Sequence, residues 1–349
     1  MSKIYANPFK WGEPVGSTHY ISRPEEQSLI LAAIEKQLPM VVSGNRGSGK
    51  TSLVKQVIDK CLIPSIYLDL SFIVSREGLI NLLLDGIEQS YPKAKTDGST
   101  ASIRTLGAAA PLDSIFDLWV ELVKNNGKKF CIVWDEFQHL ARQKENIVED
   151  LRACLKERRS ISHIFISPRG DILKEIFSDP KKPFFAKIET LTVAALNQKS
   201  VSRYLTQQFR RLGLSDFDLP DAIWNFTRGQ AQFTQKLAHA LAQIWLEGTT
   251  TRLLDRSIAK MLVEENVLFT ALWDNFGLNE KRLLLGLASG YSRPTELGFI
   301  RKFGLSATST AHNTVLKLLR EGWLVNRDEG YYIYDPLYLK WLQTTRGLA

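Results

Sequence analysis

The chain has 349 residues, of which 44% are hydrophobic and 23% charged, with a formal net charge of +8. That balance and length belong to a globular protein of two or three domains and exclude a disordered or fibrous chain. No apolar run reaches the ~18 residues that cross a bilayer, Met1–Pro14 lacks the apolar stretch of a secretory signal, and Cys61, Cys131 and Cys154 fit no zinc or disulfide spacing, so a cytoplasmic protein without membrane contact is expected.

Along the first half, short apolar runs alternate with helical stretches. Met40–Ser43, Ser65–Leu70, Phe130–Trp134, His163–Ser167 and Ile188–Val193 read as strands buried on both faces. Such alternation predicts a parallel sheet covered by helices. Directly after the first strand comes Gly44-Asn45-Arg46-Gly47-Ser48-Gly49-Lys50-Thr51, a complete G-x-x-x-x-G-K-[ST] phosphate-binding loop, followed by a helix over Thr51–Lys60. Its glycines let backbone N–H groups face phosphates, and the helix N-terminus adds a favourable dipole. Lys50 is expected to reach the β- and γ-phosphates of ATP, and the Thr51 hydroxyl to coordinate magnesium. Ser52, the next residue, is counted with the cofactor-binding loop.

Lys93–Pro111, rich in Ala, Ser, Thr and Gly, reads as a mobile loop or poorly ordered insertion. The strand Phe130–Trp134 then ends in Asp135-Glu136. Asp135 is the expected second magnesium ligand, and Glu136 the group that orients or polarises attacking water. Ser167 closes the following strand. In P-loop ATPases with an extra strand between the loop strand and the acidic strand, a polar residue at this place contacts the γ-phosphate or the water, so Ser167 joins Lys50 and Glu136 as a catalytic candidate.

From about Leu196 the strands stop. Ser200–Leu212, Asp221–Phe226 and Ala231–Leu246 read as a helical subdomain, with Arg228-Gly229 separating the last two. A third unit begins near Asn279, with helices at Glu280–Leu287, Pro294–Phe303 and Ser309–Glu321. Strands Trp323–Arg327 and Tyr331–Tyr334 follow, joined through Asp328-Glu329-Gly330. Three helices and a hairpin make the order of a winged helix-turn-helix. Expected domains are therefore residues 1–195, an α/β core; 196–275, a helical lid; and 276–349, a winged helix.

These motifs resemble the AAA+/STAND superfamily, most closely the archaeal-type ATPases with a C-terminal winged helix. Besides the loop and Asp135-Glu136-Phe137, the likeness rests on Asn7-Pro8-Phe9 with Gly12 and Pro14, on Tyr20-Ile21-Ser22-Arg23-Pro24-Glu25-Glu26, and on Asp335-Pro336-Leu337-Tyr338 with Trp341. The resemblance implies an ATP-driven switch with nucleotide between core and lid. It also implies a five-stranded sheet with the acidic strand beside the loop strand, and a role for Arg23 in the stretch that shapes the adenine pocket. Three features depart from the family pattern. Asp171–Glu189, where ring-forming relatives carry an arginine finger, has only Lys174, Lys181, Lys182 and Lys187, and lysine lacks the planar two-pronged contact to phosphate. Gln232 stands where the lid arginine belongs, and Ala231 where a Gly-x-Pro proline belongs. Slow hydrolysis is therefore expected, with Arg158 and Arg159 as candidates for trans-acting residues.

In the C-terminal module, Gly304-Leu305-Ser306 with Ser309 reads as a turn and N-cap. Ala311, Val315, Leu318 and Leu319 face the core, with Ser309, Thr310, His312, Asn313, Lys317 and Arg320 outside. If this is a recognition helix, Thr310 and Asn313 reach base edges, and Lys317, Arg327 and Arg301 meet phosphates. The aromatic end, Tyr331 to Trp341, reads as core. Three functions stay open at this point: a slow, nucleotide-dependent ATPase switch coupled to the winged helix; an initiator or transposition-type ATPase on duplex DNA; and a nucleotide-gated protein-interaction switch, of defence or signalling type, with little hydrolysis, binding itself or a protein partner.

Overall fold

A computed structural model of the chain describes residues 6–61, 64–96, 98–126, 130–141, 147–156, 161–168, 170–177, 184, 187–327 and 330–345. Two compact units are present: Pro14–Ala194, and Met1–Glu13 together with Ala195–Ala349.

The first unit is built on five parallel strands, β1 (Met40–Ser43), β2 (Ser65–Asp69), β3 (Phe130–Asp135), β4 (Ile161–Ser167) and β5 (Glu189–Thr192), in the order β2-β3-β4-β1-β5. Every residue of β3 and β4 is buried, which explains their near-continuous apolar sequence. Alternate side chains feed two separate cores. Val41, Ile66, Leu68, Ile132, Trp134 and Phe165 pack on one face beneath Leu79, Leu83 and Phe116. Met40, Val42, Val133, Ile164 and Ile166 pack on the other beneath Ile30, Leu53 and Val57. Each fully buried Leu, Ile or Phe stabilises the unit by about 1.5–3 kcal/mol.

The strand order corrects one expectation. The acidic strand β3 does not lie beside the loop strand β1; β4 separates them. Strand order follows from which faces the crossover helices cover, a long-range property that local pattern does not carry.

Lys93–Pro111 is a second correction. Lys93–Thr96 and Ser99–Arg104 are short helices and Gly107–Ala109 a 3₁₀ turn. They dock on helix Arg76–Ser90. Thr100 is buried and its hydroxyl donates to Glu88 Oε1 at 2.7 Å, while Arg104 donates to Asn81, Asp85 and Glu88. Small residues that looked like loop composition permit this close docking; Ala94 and Ala110 are both buried.

In the second unit, helices Gln198–Arg211, Leu219–Thr227 and Ala231–Leu246 lead into a 23-residue helix, Leu253–Asn275. Sequence reasoning assigned no element to this long stretch. Residues 6–13 belong to this unit, where the expected core was residues 1–195. Phe9 is buried against Tyr204 and Phe209, and Asn7 Nδ2 donates to His239 O at 2.9 Å. Helices Leu278–Ala288, Leu297–Phe303 and Thr308–Arg320 then precede the antiparallel pair β6 (Leu324–Arg327) and β7 (Gly330–Ile333), followed by helix Pro336–Thr345. Asp328 and Glu329, the expected turn, lie outside the described residues. Gly330 has φ +138°, and a Cβ there would sit 2.3 Å from Ser292 O, so the glycine serves a close backbone approach. Helix Thr308–Arg320 starts one residue before the expected Ser309 cap, with Ala307 at the N-cap. Tyr338 and Trp341 are buried with Phe269 and Phe276 in one aromatic cluster that the half-buried Trp323 joins.

Candidate nucleotide site

The loop between β1 and helix Lys50–Cys61 curls through three left-handed glycines: Gly44 at φ +145°, Gly47 at +74° and Gly49 at +91°. Gly44 is also sterically required, because a Cβ would lie 2.7 Å from Val193 O. Lys50 is buried, and its ammonium donates to Gly44 O at 2.9 Å and Asn45 O at 3.0 Å. Ser48 Oγ is buried without a partner among the described residues, a polar group left over for a ligand. Ser52 is also buried, with its hydroxyl taken by Val15 N at 3.1 Å. Arg23 braces the loop from behind. Its guanidinium donates to Ser48 O at 3.0 Å, Ala194 O at 2.9 Å and Glu26 Oε1 at 2.9 Å. Three of its donors are thus spent on protein, and the side chain ties the loop to the end of β5.

Across the sheet edge, Thr51 Oγ1 donates to Asp135 Oδ2 at 2.7 Å, joining residues 84 positions apart. Tyr67, on the neighbouring strand β2, donates its hydroxyl to the same oxygen. No sequence pattern marked Tyr67; only the β2–β3 register brings it here. Glu136 follows with φ +56°, a backbone conformation that costs a non-glycine residue energy and recurs at functional sites. Its carboxylate accepts from Gln138 Nε2 and lies 3.9 Å from His139 Nε2. Ser167 ends β4 fully buried, in register with Ser43 at the end of β1.

Burial pushes the Lys50 ammonium down to about 8, against the opposing pull of Glu136 and Asp135. Burial likewise raises the Asp135 carboxyl above the usual carboxylate range, with the Thr51 hydroxyl acting against it. A buried cation and acid, an unpartnered hydroxyl and a glycine cradle suit a phosphate chain and a hard cation with oxygen ligands.

Residues 22–237 match the family described as "ATPase domain predominantly from Archaea", and residues 267–344 the family described as "Probable winged helix domain". The chain belongs to the archaeal-type ATPase family. Among solved structures, a Walker-type ATPase of Pyrococcus abyssi has a TM-score of 0.72 at 19% identity, over 94% of this chain and 97% of that one. The ORC2 protein of Aeropyrum pernix, solved with ADPNP and ADP, has a TM-score of 0.59 at 13% identity, over 99% and 96%. The CDC6P protein of Pyrobaculum aerophilum has 0.50 at 14%, over 94% and 96%. These likenesses establish the fold: a P-loop AAA+-like parallel sheet with a C-terminal winged helix. No curated protein sequence matches the chain.

Elsewhere in this archaeal-type ATPase, Gln232 is exposed on helix Ala231–Leu246, and Lys187 pairs with Glu189 at 2.9 Å. Arg158, Arg159, Lys181 and Lys182 lie outside the described residues. Most of the winged helix's predicted phosphate contacts have protein partners. Lys317 pairs with Glu280, and the Arg327 guanidinium stacks 5.5 Å from the Tyr332 ring centroid. Thr310 Oγ1 shares a hydrogen bond with Ser306 Oγ at 2.9 Å. His312, Asn313 and Arg320 remain on the outer face, beside an exposed Leu316. No described helix is long and apolar enough to cross a membrane.

Proposed function

We propose that the chain binds ATP with magnesium, hydrolyses it slowly, and uses the nucleotide state as a switch read out through its winged helix. The observation that carries this reading is the Thr51–Asp135 hydrogen bond of 2.7 Å beside the buried Lys50. It joins the two independent motifs into one site. Backbone N–H groups of residues 44–51 and the Lys50 ammonium bind the phosphates. Thr51 and Asp135 are the residues that would hold magnesium, which neutralises charge on the phosphate oxygens when bound. Glu136, steadied by Gln138 and His139, accepts a proton from the water that attacks the γ-phosphorus, as the bond to the leaving ADP breaks. Ser167, at the end of the intervening strand, is assigned to the water or the γ-phosphate.

Slow turnover fits the exposed Gln232 in the place of the lid arginine. The switch reading draws support from the second unit. Gln230, which opens helix Ala231–Leu246, donates from Nε2 to Tyr334 O at 2.5 Å, and Phe233 meets the Tyr334 ring edge-on. Asp335 caps the closing helix through Leu337 N and Tyr338 N. A displacement of the lid helix is thereby passed to the winged helix.

Equilibrium binding and phosphate-release assays test the residue roles. Lys50→Ala should lose nucleotide binding by at least 100-fold, whereas Glu136→Gln should keep binding and stall hydrolysis. Unchanged binding in the first, undiminished turnover in the second, or a wild-type rate well above ~1 per second would each contradict the proposal.

A further inference from the structure

The cations of the second unit divide into two groups. Those of the winged helix are largely spent on protein: Lys317 on Glu280, Arg282 on Gly304 O, Lys302 on Tyr291 Oη, and Arg293 on Glu296. Helix Gln198–Arg211 is different. It carries Lys199, Arg203, Arg210 and Arg211 and no acidic residue. All four are exposed, and none has an acidic partner among the described residues; Arg211 donates to Gln208 Oε1 at 3.1 Å within the helix. Arg203, Arg210 and Arg211, with Ser202, Thr206 and Gln207, line one open depression along the helix. Asp221 of the following helix meets this one through the Ser202 hydroxyl, which donates to it at 2.5 Å, and pairs with none of the four cations.

Helix chemistry alone does not require this arrangement. Arg210 and Arg211 sit favourably against the negative C-terminal end of the dipole, but Lys199 in the first turn opposes it. Like charges also repel: Lys199 and Arg203 stand four residues apart and Arg210 and Arg211 are adjacent. The cost is recovered when a polyanion neutralises the row. At 1.5 Å rise per residue, positions 199 to 210 span roughly 16 Å, the axial rise of about five nucleotides along one strand of a duplex. Gln207 and Thr206 between the arginines supply neutral hydrogen-bonding groups of the kind that contact phosphate oxygens.

We infer that this face of helix Gln198–Arg211 binds the phosphate backbone of duplex DNA without reading its sequence, and that it, and not the recognition helix, supplies most of the chain's affinity for nucleic acid. The inference is independent of ATP turnover.

The test is fluorescence anisotropy of the full chain with a labelled random-sequence 30-base-pair duplex between 50 and 200 mM salt. Wild type should bind at 50 mM and lose on the order of 100-fold in affinity by 200 mM. Arg203→Ala/Arg210→Ala/Arg211→Ala should weaken binding at least tenfold at 50 mM and reduce the log–log salt slope by about 2.7, since each lost phosphate contact removes about 0.9. The matching triple Lys variant should retain both, because counterion release counts charges. Arg301→Ala/Arg320→Ala should change affinity less than threefold. Lys50→Ala should bind the duplex like wild type, which separates this outcome from failure of the ATPase reading. Wild type without duplex affinity at 50 mM overturns the inference, as does an unaltered slope in the triple Ala variant. Displacement of the duplex by polyglutamate at equal charge concentration also overturns it, in favour of an acidic peptide.

Discussion

At the scale of single residues, the site combines groups whose ionisation depends on burial. Lys50 is the clearest. Its folded-state value near 8 lies below that of an unfolded lysine, so the unfolded chain holds the extra proton between those values. Stability therefore rises as pH climbs from about 8 toward the unfolded value. Triphosphate binding reverses the cause, because added negative charge favours the ammonium. ATP binding at pH 8.5 should take up about 0.7 proton per site, read by calorimetry in buffers of different ionisation enthalpy; uptake near zero would remove Lys50 from contact with phosphate. The residues of Gly44–Thr51 were legible in sequence because phosphate chemistry demands glycines and a lysine at fixed spacing. Tyr67 and Gln138 were not legible, since a tyrosine and a glutamine acquire meaning only from the carboxylates beside them, Asp135 and Glu136. Arg23 was legible as part of a motif, but its guanidinium is held by Ser48 O of the loop, Ala194 O after β5 and the Glu26 carboxylate.

At the scale of elements, the apolar strands were readable from their composition, and their ends fell within two residues of expectation. Lys93–Pro111 was misread because alanine, serine and threonine serve close helix docking as well as loops. Thr100 tests the docked arrangement. Its buried hydroxyl donates to Glu88, and together with Arg104 it holds that carboxylate below the usual range. Thr100→Val keeps the shape and removes the bond, and should cost about 1–2 kcal/mol in urea unfolding. Arg104→Ala, at a more exposed pair, should cost less than about 1 kcal/mol. If Thr100→Val matched wild type in stability, the Thr100–Glu88 hydrogen bond would contribute nothing to the docking. The long helix Leu253–Asn275 escaped detection for a different reason. Its exposed side still carries Val263, Val267 and Leu268, which blurs the apolar face that marks an amphipathic helix.

For the whole molecule, a histidine buried in the sheet contributes to the response to acid. His163 is buried among aromatic rings, with Nδ1 accepting from Trp134 Nε1 at 3.2 Å, and burial holds its ionisation down to about 3. The unfolded chain binds this proton more readily, so stability should fall as pH drops from 6.5 toward 3, by on the order of 4 kcal/mol from this group. His163→Asn offers an acceptor to Trp134 and does not titrate. It should be less stable at pH 7 yet show a shallower loss between pH 6 and 3, measured by denaturant unfolding at each pH. An unchanged slope would place the acid sensitivity elsewhere.

What the chain's own order of residues determined was chemistry that local spacing encodes: the phosphate loop, the acidic strand end, buried parallel strands, and the helix–helix–helix–hairpin order of the C-terminal module. What only the tertiary structure decided was adjacency. It put β4 between β3 and β1, packed residues 6–13 with the helical unit, brought Tyr67 to Asp135, and left the cations of helix Gln198–Arg211 exposed without acidic partners while pairing Lys317 with Glu280. The physical reason is range. Backbone propensity and side-chain period act over a few residues, whereas strand order, charge pairing and burial are settled among groups that folding brings together from distant parts of the chain.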